Sequence, residues 1–313
     1  MAVKAWAFGS TLIAVGILIL VVHMASCIEA FGARSPNLDE LKQVQAASED
    51  VNVEIPLPVA SGKITADNGI IHMDYSNTAN GYVMIKWVAD IQVENIGISI
   101  TDPNKVTRIT TLHKGDGSWG VYPLTYGDGT YTIKVVEKRQ ARGNKKDCRV
   151  FLKKIQVKLS DEFTPFLRPN YRVNYDKTTV AVKAAAMLTE RATTNLEKAD
   201  IIYNFVISNF TYDYRAAKDA TKATRWQSTN LDQCWTKGSG LCGDLSALTV
   251  AMLRSQGIPA QMVYGHINEV ENRHAWVKAY INGSWVLLDP TYDLGGSRIL
   301  DRSEINYFAL SVF

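Results

Sequence analysis

Four cysteines in 313 residues are too few and too scattered to form a disulfide framework. Cys27 follows an apolar run and Cys242 heads a helical pattern, which leaves Cys148 and Cys234. A bridge between those two is open to an exported chain, and a free, partly buried pair is the simpler expectation. Charge of one sign is also scarce. A net charge of +3, with no basic stripe interleaved with aromatics, excludes nucleic acid as the partner. Lys138-Arg139, Arg142 and Lys145-Lys146 surround Gly143-Asn144 and read as a solvated turn. Close-spaced metal ligands are missing: the seven-residue gaps between Cys234 and Cys242 and between His266 and His274 are not zinc spacing. No metal or cofactor is expected. Gly127-Asp128-Gly129 lacks the further acidic or glycine positions of a calcium or phosphate loop and reads as a turn. His72 and His113 fall in alternating segments and read as surface residues.

The first 27 residues supply what the rest lacks, a long uncharged stretch. Lys4 precedes eighteen residues, Ala5 to Val22, of mainly Leu, Ile, Val, Ala and Gly, followed by His23-Met24-Ala25-Ser26-Cys27. This is the pattern of an export signal. The run is also long enough to stay as a membrane anchor, while Met24-Ala25-Ser26-Cys27 resembles a bacterial lipobox with Cys27 as the lipid-bearing residue. Lipidation is favoured over an uncleaved helix, and the expected location is the outer face of the cell membrane, or secretion. Residues 28–50 read as a polar tether.

From 51 to 160 the pattern is β. Ile70–Tyr75, Tyr82–Trp87, Ile96–Ile100, Gly129–Glu137 and Arg149–Leu159 are short β-rich runs cut by Gly, Asn, Asp and Pro. Their number and spacing predict a β-sandwich of immunoglobulin-like type, with no catalytic residue of its own. Residues 161–313 are mixed. Thr178–Glu190 is helix-prone, and Thr194-Asn-Leu-Glu197 is a capping box opening a helix with Ala199, Ile202, Phe205 and Val206 inward. Lys218 to Thr229 reads as a polar loop over the mouth of a site. The fold class is therefore α+β.

Chemistry concentrates between Gly238 and Pro290. Cys242 precedes Leu245, Leu248, Thr249, Met252 and Leu253, the stripe of an amphipathic helix, which Gly257-Ile258-Pro259 stops. Cys242 thus sits at the helix N-terminus, where unpaired N–H groups and the macrodipole favour a thiolate. Beyond it, Ala260–Tyr264, Arg273–Ile281 and Ser284–Asp289 read as strands, the last two joined by the hairpin signal Asn282-Gly283. A two-residue loop pairs Ile281 with Ser284; counted back from there, Trp276 faces Asp289 and His274 lies diagonal to Asp289 on the same face. A base beside a helix-start thiol and a carboxylate beside the base are what nucleophilic thiol catalysis needs.

Gly-Leu-Cys242-Gly-Asp, Met-Leu-Arg-Ser-Gln-Gly-Ile-Pro, Arg-His274-Ala-Trp-Val and Trp-Val-Leu-Leu-Asp289-Pro-Thr-Tyr together resemble the transglutaminase-like superfamily in its bacterial secreted branch, from about Phe166 to Tyr292. The resemblance implies a papain-like cysteine domain in which Cys242 is the nucleophile, His274 the general base and acid, and Asp289 the group that orients His274. It also implies an oxyanion donor made of the Cys242 backbone N–H and an upstream side chain, for which Gln233, Trp235, Trp226 and Tyr212 are all candidates. Trp226 and Trp235 either line an acyl-donor groove or pack in the core. The expected activity is hydrolysis of peptide or amide bonds, cell-wall peptides included. Two alternatives stay open: a protein-crosslinking transglutaminase that uses the same residues, and a non-catalytic envelope-binding module. Nothing in the sequence speaks to oligomeric state.

Overall fold

The computed structural model describes residues 51, 53–62, 65–67, 69, 71–88, 96–112, 118–139, 146–220, 229–268, 273–296 and 305–313. The export signal, Cys27, the tether, His113 and Trp226 lie outside the described residues.

Among the described residues, eight strands build the first half in two antiparallel sheets. One runs in the order β1 (Thr65–Asp67), β2 (Ile71–Asp74), β3 (Tyr82–Trp87) and β6 (Gly120–Pro123); the other in the order β5 (Thr107–Leu112), β4 (Ile96–Thr101), β7 (Gly129–Arg139) and β8 (Lys146–Val157). Alternation explains why they join. Tyr131, Ile133 and Val135 of β7 point to one face and are fully buried, and they share a single apolar cluster with Ile71, Met73, Val83 and Ile85 of the other sheet. Each such side chain taken out of water contributes roughly 1.5–3 kcal/mol.

Three strands escaped the sequence pattern for a common reason. β1, β5 and β6 are all edge strands, and an edge needs no clean alternation. Ile109 of β5 is 69% exposed, and Pro123 is tolerated at the end of β6 because an edge strand has a side with no ladder partner. The Tyr126 to Gly129 segment is a turn, with Gly127 at φ +79°. The Asp128 carboxylate accepts the Leu159 N–H and pairs with Lys158, so it ties the turn to the chain just past β8.

The second half places helices against a four-stranded antiparallel sheet. In chain order it comprises α1 (Val180–Leu188), α2 (Asn195–Asn209), β9 (Thr211–Tyr212), α3 (Tyr214–Ala220), α4 (Leu231–Lys237), β10 (Ser239–Gly240), α5 (Cys242–Ser255), β11 (Ala260–Ile267), β12 (Arg273–Ile281), β13 (Ser284–Leu288) and β14 (Tyr307–Val312). The sheet runs β13-β12-β11-β14. At α2 the Thr194 hydroxyl accepts from the Glu197 N–H while the Glu197 carboxylate accepts from the Thr194 N–H; such a cap is worth about 1 kcal/mol.

Two expectations change. The helix expected to show an amphipathic stripe, α5, is buried on nearly all sides: Ala247, Val250 and Ala251 are as buried as Leu245, Leu248, Met252 and Leu253. It lies between the sheet, at β11 and β12, and the helices α1, α2 and α4, so only Asp244 and Ser255 near its ends are half-buried and no continuous face meets water. The segment expected as a polar loop begins as a helix, α3, through Ala220; residues 221–228 lie outside the described residues.

Arg254, at the C-terminal end of α5, is wholly buried and donates to three carbonyls, those of Ala260, Arg168 and Phe313, at 2.9, 2.6 and 2.8 Å. One cation thereby ties the central helix to the segment between the two halves and to the end of β14. The halves also meet through β14: Arg108 Nε donates to the Leu310 carbonyl at 2.9 Å, Thr125 donates to the Val312 carbonyl at 2.9 Å, and the Val312 N–H donates to the Tyr126 hydroxyl at 2.9 Å.

Candidate functional site

Cys242 is the first residue of α5 and is 8% exposed. Leu241 before it is extended, φ −82° and ψ 173°, and its N–H donates to Asp244 Oδ2 at 2.9 Å. Asp244 Oδ1 accepts the Thr229 hydroxyl at 3.0 Å. Asp244 therefore fixes the entry of the chain into the helix, so the thiol is held where the first N–H groups of the helix have no intrahelical acceptor. Gly240 and Gly243 are small for a reason: a Cβ on Gly240 would fall 2.7 Å from the Asp244 Cβ, and one on Gly243 would fall 2.6 Å from the Tyr264 hydroxyl.

The hairpin brings up the other two groups. Asn282 and Gly283 take φ +50° and +83°, the left-handed pair that closes a tight two-residue turn. Ile281 pairs with Ser284, and the ladder continues through Tyr280 with Trp285, Ala279 with Val286 and Lys278 with Leu287 to Val277 with Leu288. Asp289 follows the last pair, and its carboxylate meets His274 Nε2 at 2.8 Å. His274 is 13% exposed and Asp289 wholly buried. Buried carboxylates need every lone pair engaged, and this one has four donors. Oδ1 accepts the N–H groups of Thr291 and Tyr292 at 3.1 and 3.3 Å, while Oδ2 accepts Tyr307 OH at 3.0 Å besides His274.

The imidazole is caged and electrostatically coupled. Trp276 stacks along it at 6.2 Å and 18°, and Tyr292 presents its edge at 5.6 Å and 90°. Burial alone would push His274 down. Hydrogen bonds to Asp289 and to Cys242, together with the negative charge of both, outweigh it and carry the ring up to about 9. Cys242, His274 and Asp289 thus come together, with His274 Nε2 on the carboxylate at 2.8 Å and the ring electrostatically coupled to the sulfur.

The candidates for the upstream donor separate. Gln233 is exposed on α4. Trp235 is 2% exposed and packs on Phe205 at 5.6 Å and Phe210 at 5.8 Å, which makes it a core residue. Tyr212 lies in β9, paired in parallel with β10 so that it faces Gly240. Burial raises its phenol, and the nearby charge of Cys242 raises it further. Tyr212 is thus the one of these three coupled to the sulfur.

Other sequence candidates stand apart. Cys234 is free and buried, its thiol pushed up to about 12 by burial. Among the described residues no three His, Cys, Asp or Glu side chains form a group that could hold a metal ion. His72 pairs with Asp67 at 2.8 Å on the rim of the first half. Tyr307 is invisible to sequence patterning, because its contact with Asp289 comes from a strand that no local period links to the hairpin.

One stretch of the chain matches a known family. Residues 182–290 match the family model of the Transglutaminase-like superfamily, and this stretch is a transglutaminase-like domain. A Mycobacterium leprae protein described only as uncharacterized is 31% identical, over 26% of this chain and 37% of its own length, so the chain spans little more than a third of that relative. Among solved structures, a candidate cysteine protease from Cytophaga hutchinsonii aligns at 16% identity and TM-score 0.37, covering 70% of this chain and 77% of that one. A candidate protease from Parabacteroides distasonis aligns at 9% identity and TM-score 0.28, covering 70% and 63%. Red sea bream transglutaminase aligns at 14% identity and TM-score 0.29, covering 67% and 48%. These likenesses are too distant to carry an argument about chemistry.

Proposed function

We propose that the transglutaminase-like domain is a thiol-dependent acyl-transfer enzyme in which Cys242 is the nucleophile, His274 the general base and acid, and Asp289 the group that orients His274. The observation that carries this reading is one imidazole held on buried Asp289 at 2.8 Å and electrostatically coupled to the Cys242 sulfur at a helix start. The Cys242 sulfur attacks an amide carbonyl carbon, forming a C–S bond, and the oxygen gathers the displaced π electrons. As the tetrahedral species collapses the C–N bond breaks, and the proton held by His274 passes to the departing amine nitrogen. Water then gives a proton back to His274 while its oxygen attacks the thioester carbon; the C–S bond breaks, releasing the acid and the sulfur. The first N–H groups of α5 and the Tyr212 hydroxyl are the donors we assign to the developing oxyanion.

Water as acceptor makes the enzyme a peptidase or amidase, with peptides of the cell wall or of proteins as the substrate class. An amine acceptor would make it a crosslinking transglutaminase. In the same reading the first half is an immunoglobulin-like sandwich, and the N-terminal segment exports the chain and holds it at the membrane through Cys27 or as a single helix. The test is digestion of a peptide library by wild type and Cys242→Ala, with and without a primary amine, read by mass spectrometry. Backbone cleavage or ammonia release by wild type alone supports hydrolysis, and amine incorporation supports crosslinking. Equal turnover by the variant, or none by either protein, refutes the enzyme reading in favour of a binding module.

A further inference from the structure

Asp289 Oδ2 serves two donors, and the second, the hydroxyl of Tyr307, comes from a strand that the first half of the protein grips. Tyr307 opens β14, and its ring meets Trp276 at 5.0 Å and 65°, so the phenol reaches the carboxylate past the side chain that also stacks on His274. Gly265 makes room for that approach. A Cβ there would fall 1.8 Å from the Phe308 carbonyl oxygen and 2.7 Å from the Trp276 ring, and the ladder between β11 and β14 shifts by one residue at this point. Farther along β14, Arg108, Thr125 and Tyr126 of the first half hold Leu310 and Val312 by three hydrogen bonds of 2.9 Å.

We infer that Tyr307 is a positioning residue for the site: its hydroxyl locks the Asp289 carboxylate onto His274 Nε2, and the grip of Arg108, Thr125 and Tyr126 on β14 keeps that hydroxyl in place. This rests on the assignment of Cys242, His274 and Asp289 made above. The two backbone donors, at 3.1 and 3.3 Å, engage Oδ1 alone and leave the placing of Oδ2 to its own two partners. Losing the bond from Tyr307 removes one of the two donors on Oδ2 of a wholly buried anion, and an oxygen left with an open lone pair is held less firmly in its direction toward the imidazole. Among the described residues, the titratable groups facing His274 and Asp289 are Cys242 from α5, Tyr292 from the turn after β13 and Tyr307 from β14. Of these only Tyr307 belongs to an element that both halves hold.

The experiment compares wild type, Tyr307→Phe and Arg108→Gln by iodoacetamide labelling, with Cys242 and Cys234 followed separately by peptide mass spectrometry. Near pH 7, Cys242 of Tyr307→Phe is expected to label about tenfold more slowly than wild type, the effect of one hydrogen bond to a charged group. Arg108→Gln is expected to fall between the two. Near pH 10, where thiols ionise without help from an imidazole, the three rates should converge; a merely structural defect would not produce that convergence. Cys234 reports folding, since a loosened core would label it quickly. Should Cys234 of Tyr307→Phe become reactive, Arg108→Gln decides alone: a slowed Cys242 near pH 7 with Cys234 still protected supports the inference, and a wild-type rate overturns it. Wild-type labelling of Cys242 in a folded Tyr307→Phe overturns it too. If Cys242 of the wild type labels no faster than an ordinary thiol, the fault lies with the nucleophile assignment.

Discussion

Replacing Asp289 with asparagine isolates what the carboxylate does, because the side-chain shape is kept and only charge and donor pattern change. The two backbone N–H groups of Thr291 and Tyr292 on Oδ1 decide how the new amide sits: its oxygen must face them, so its NH2 faces His274 Nε2. His274 must then accept at Nε2 and carry its proton on Nδ1, toward the sulfur, the tautomer that cannot take a thiol proton. The pKa moves with it. His274 stands at about 9 against an ordinary 6.5, a preference of roughly 3 kcal/mol for the charged ring. Burial opposes that preference, and the hydrogen bond to Asp289 is the largest influence in its favour. Without the carboxylate, burial dominates, and the ring should titrate far below 9. Turnover should fall on the order of 10³-fold or more. Nitrogen-detected NMR of the imidazole across pH, beside the rate of Cys242 alkylation, checks both. A ring that still titrates near 9, or an alkylation rate like that of wild type, would refute the reasoning.

Further consequences concern stability and packing. Because His274 is raised in the folded state, its stabilising contribution is fully present below about pH 6.5 and is lost as pH climbs through about 9. The difference in unfolding free energy between wild type and His274→Gln, measured by urea titration, should therefore shrink by about 3 kcal/mol over that window. Gly265→Ala would drive a methyl into the Phe308 backbone and the Trp276 ring. It should cost about 3 kcal/mol or more by thermal unfolding, and its surviving folded fraction should turn over more slowly, because β14 carries Tyr307. A Gly265→Ala protein with unchanged melting and activity would show that β14 yields freely.

Much of the site was legible because it depends on local rules. The Asn282-Gly283 turn admits one strand register, and that register alone brings His274 diagonal to Asp289. The glycine and proline after Ser255 close the helix that Cys242 opens. Tyr307 was illegible because its contact with Asp289 spans 18 residues and obeys no period. The all-round burial of α5 was hidden as well: Ala247, Val250 and Ala251 read as the filler of a half-exposed helix until α1, α2 and α4 cover them. The edge strands β1, β5 and β6 were missed because an unpaired edge tolerates polar residues and proline, which erases alternation.

The most direct measurement mixes the protein with an activated acyl donor, p-nitrophenyl acetate, quenches in acid and reads peptide masses. An acetyl group on Cys242 of the wild type, discharged by hydroxylamine, much slower to form in His274→Ala and absent in Cys242→Ser, is the expected result. Acylation that spares Cys242, or that forms on it just as fast without His274, would contradict a sulfur nucleophile driven by this imidazole.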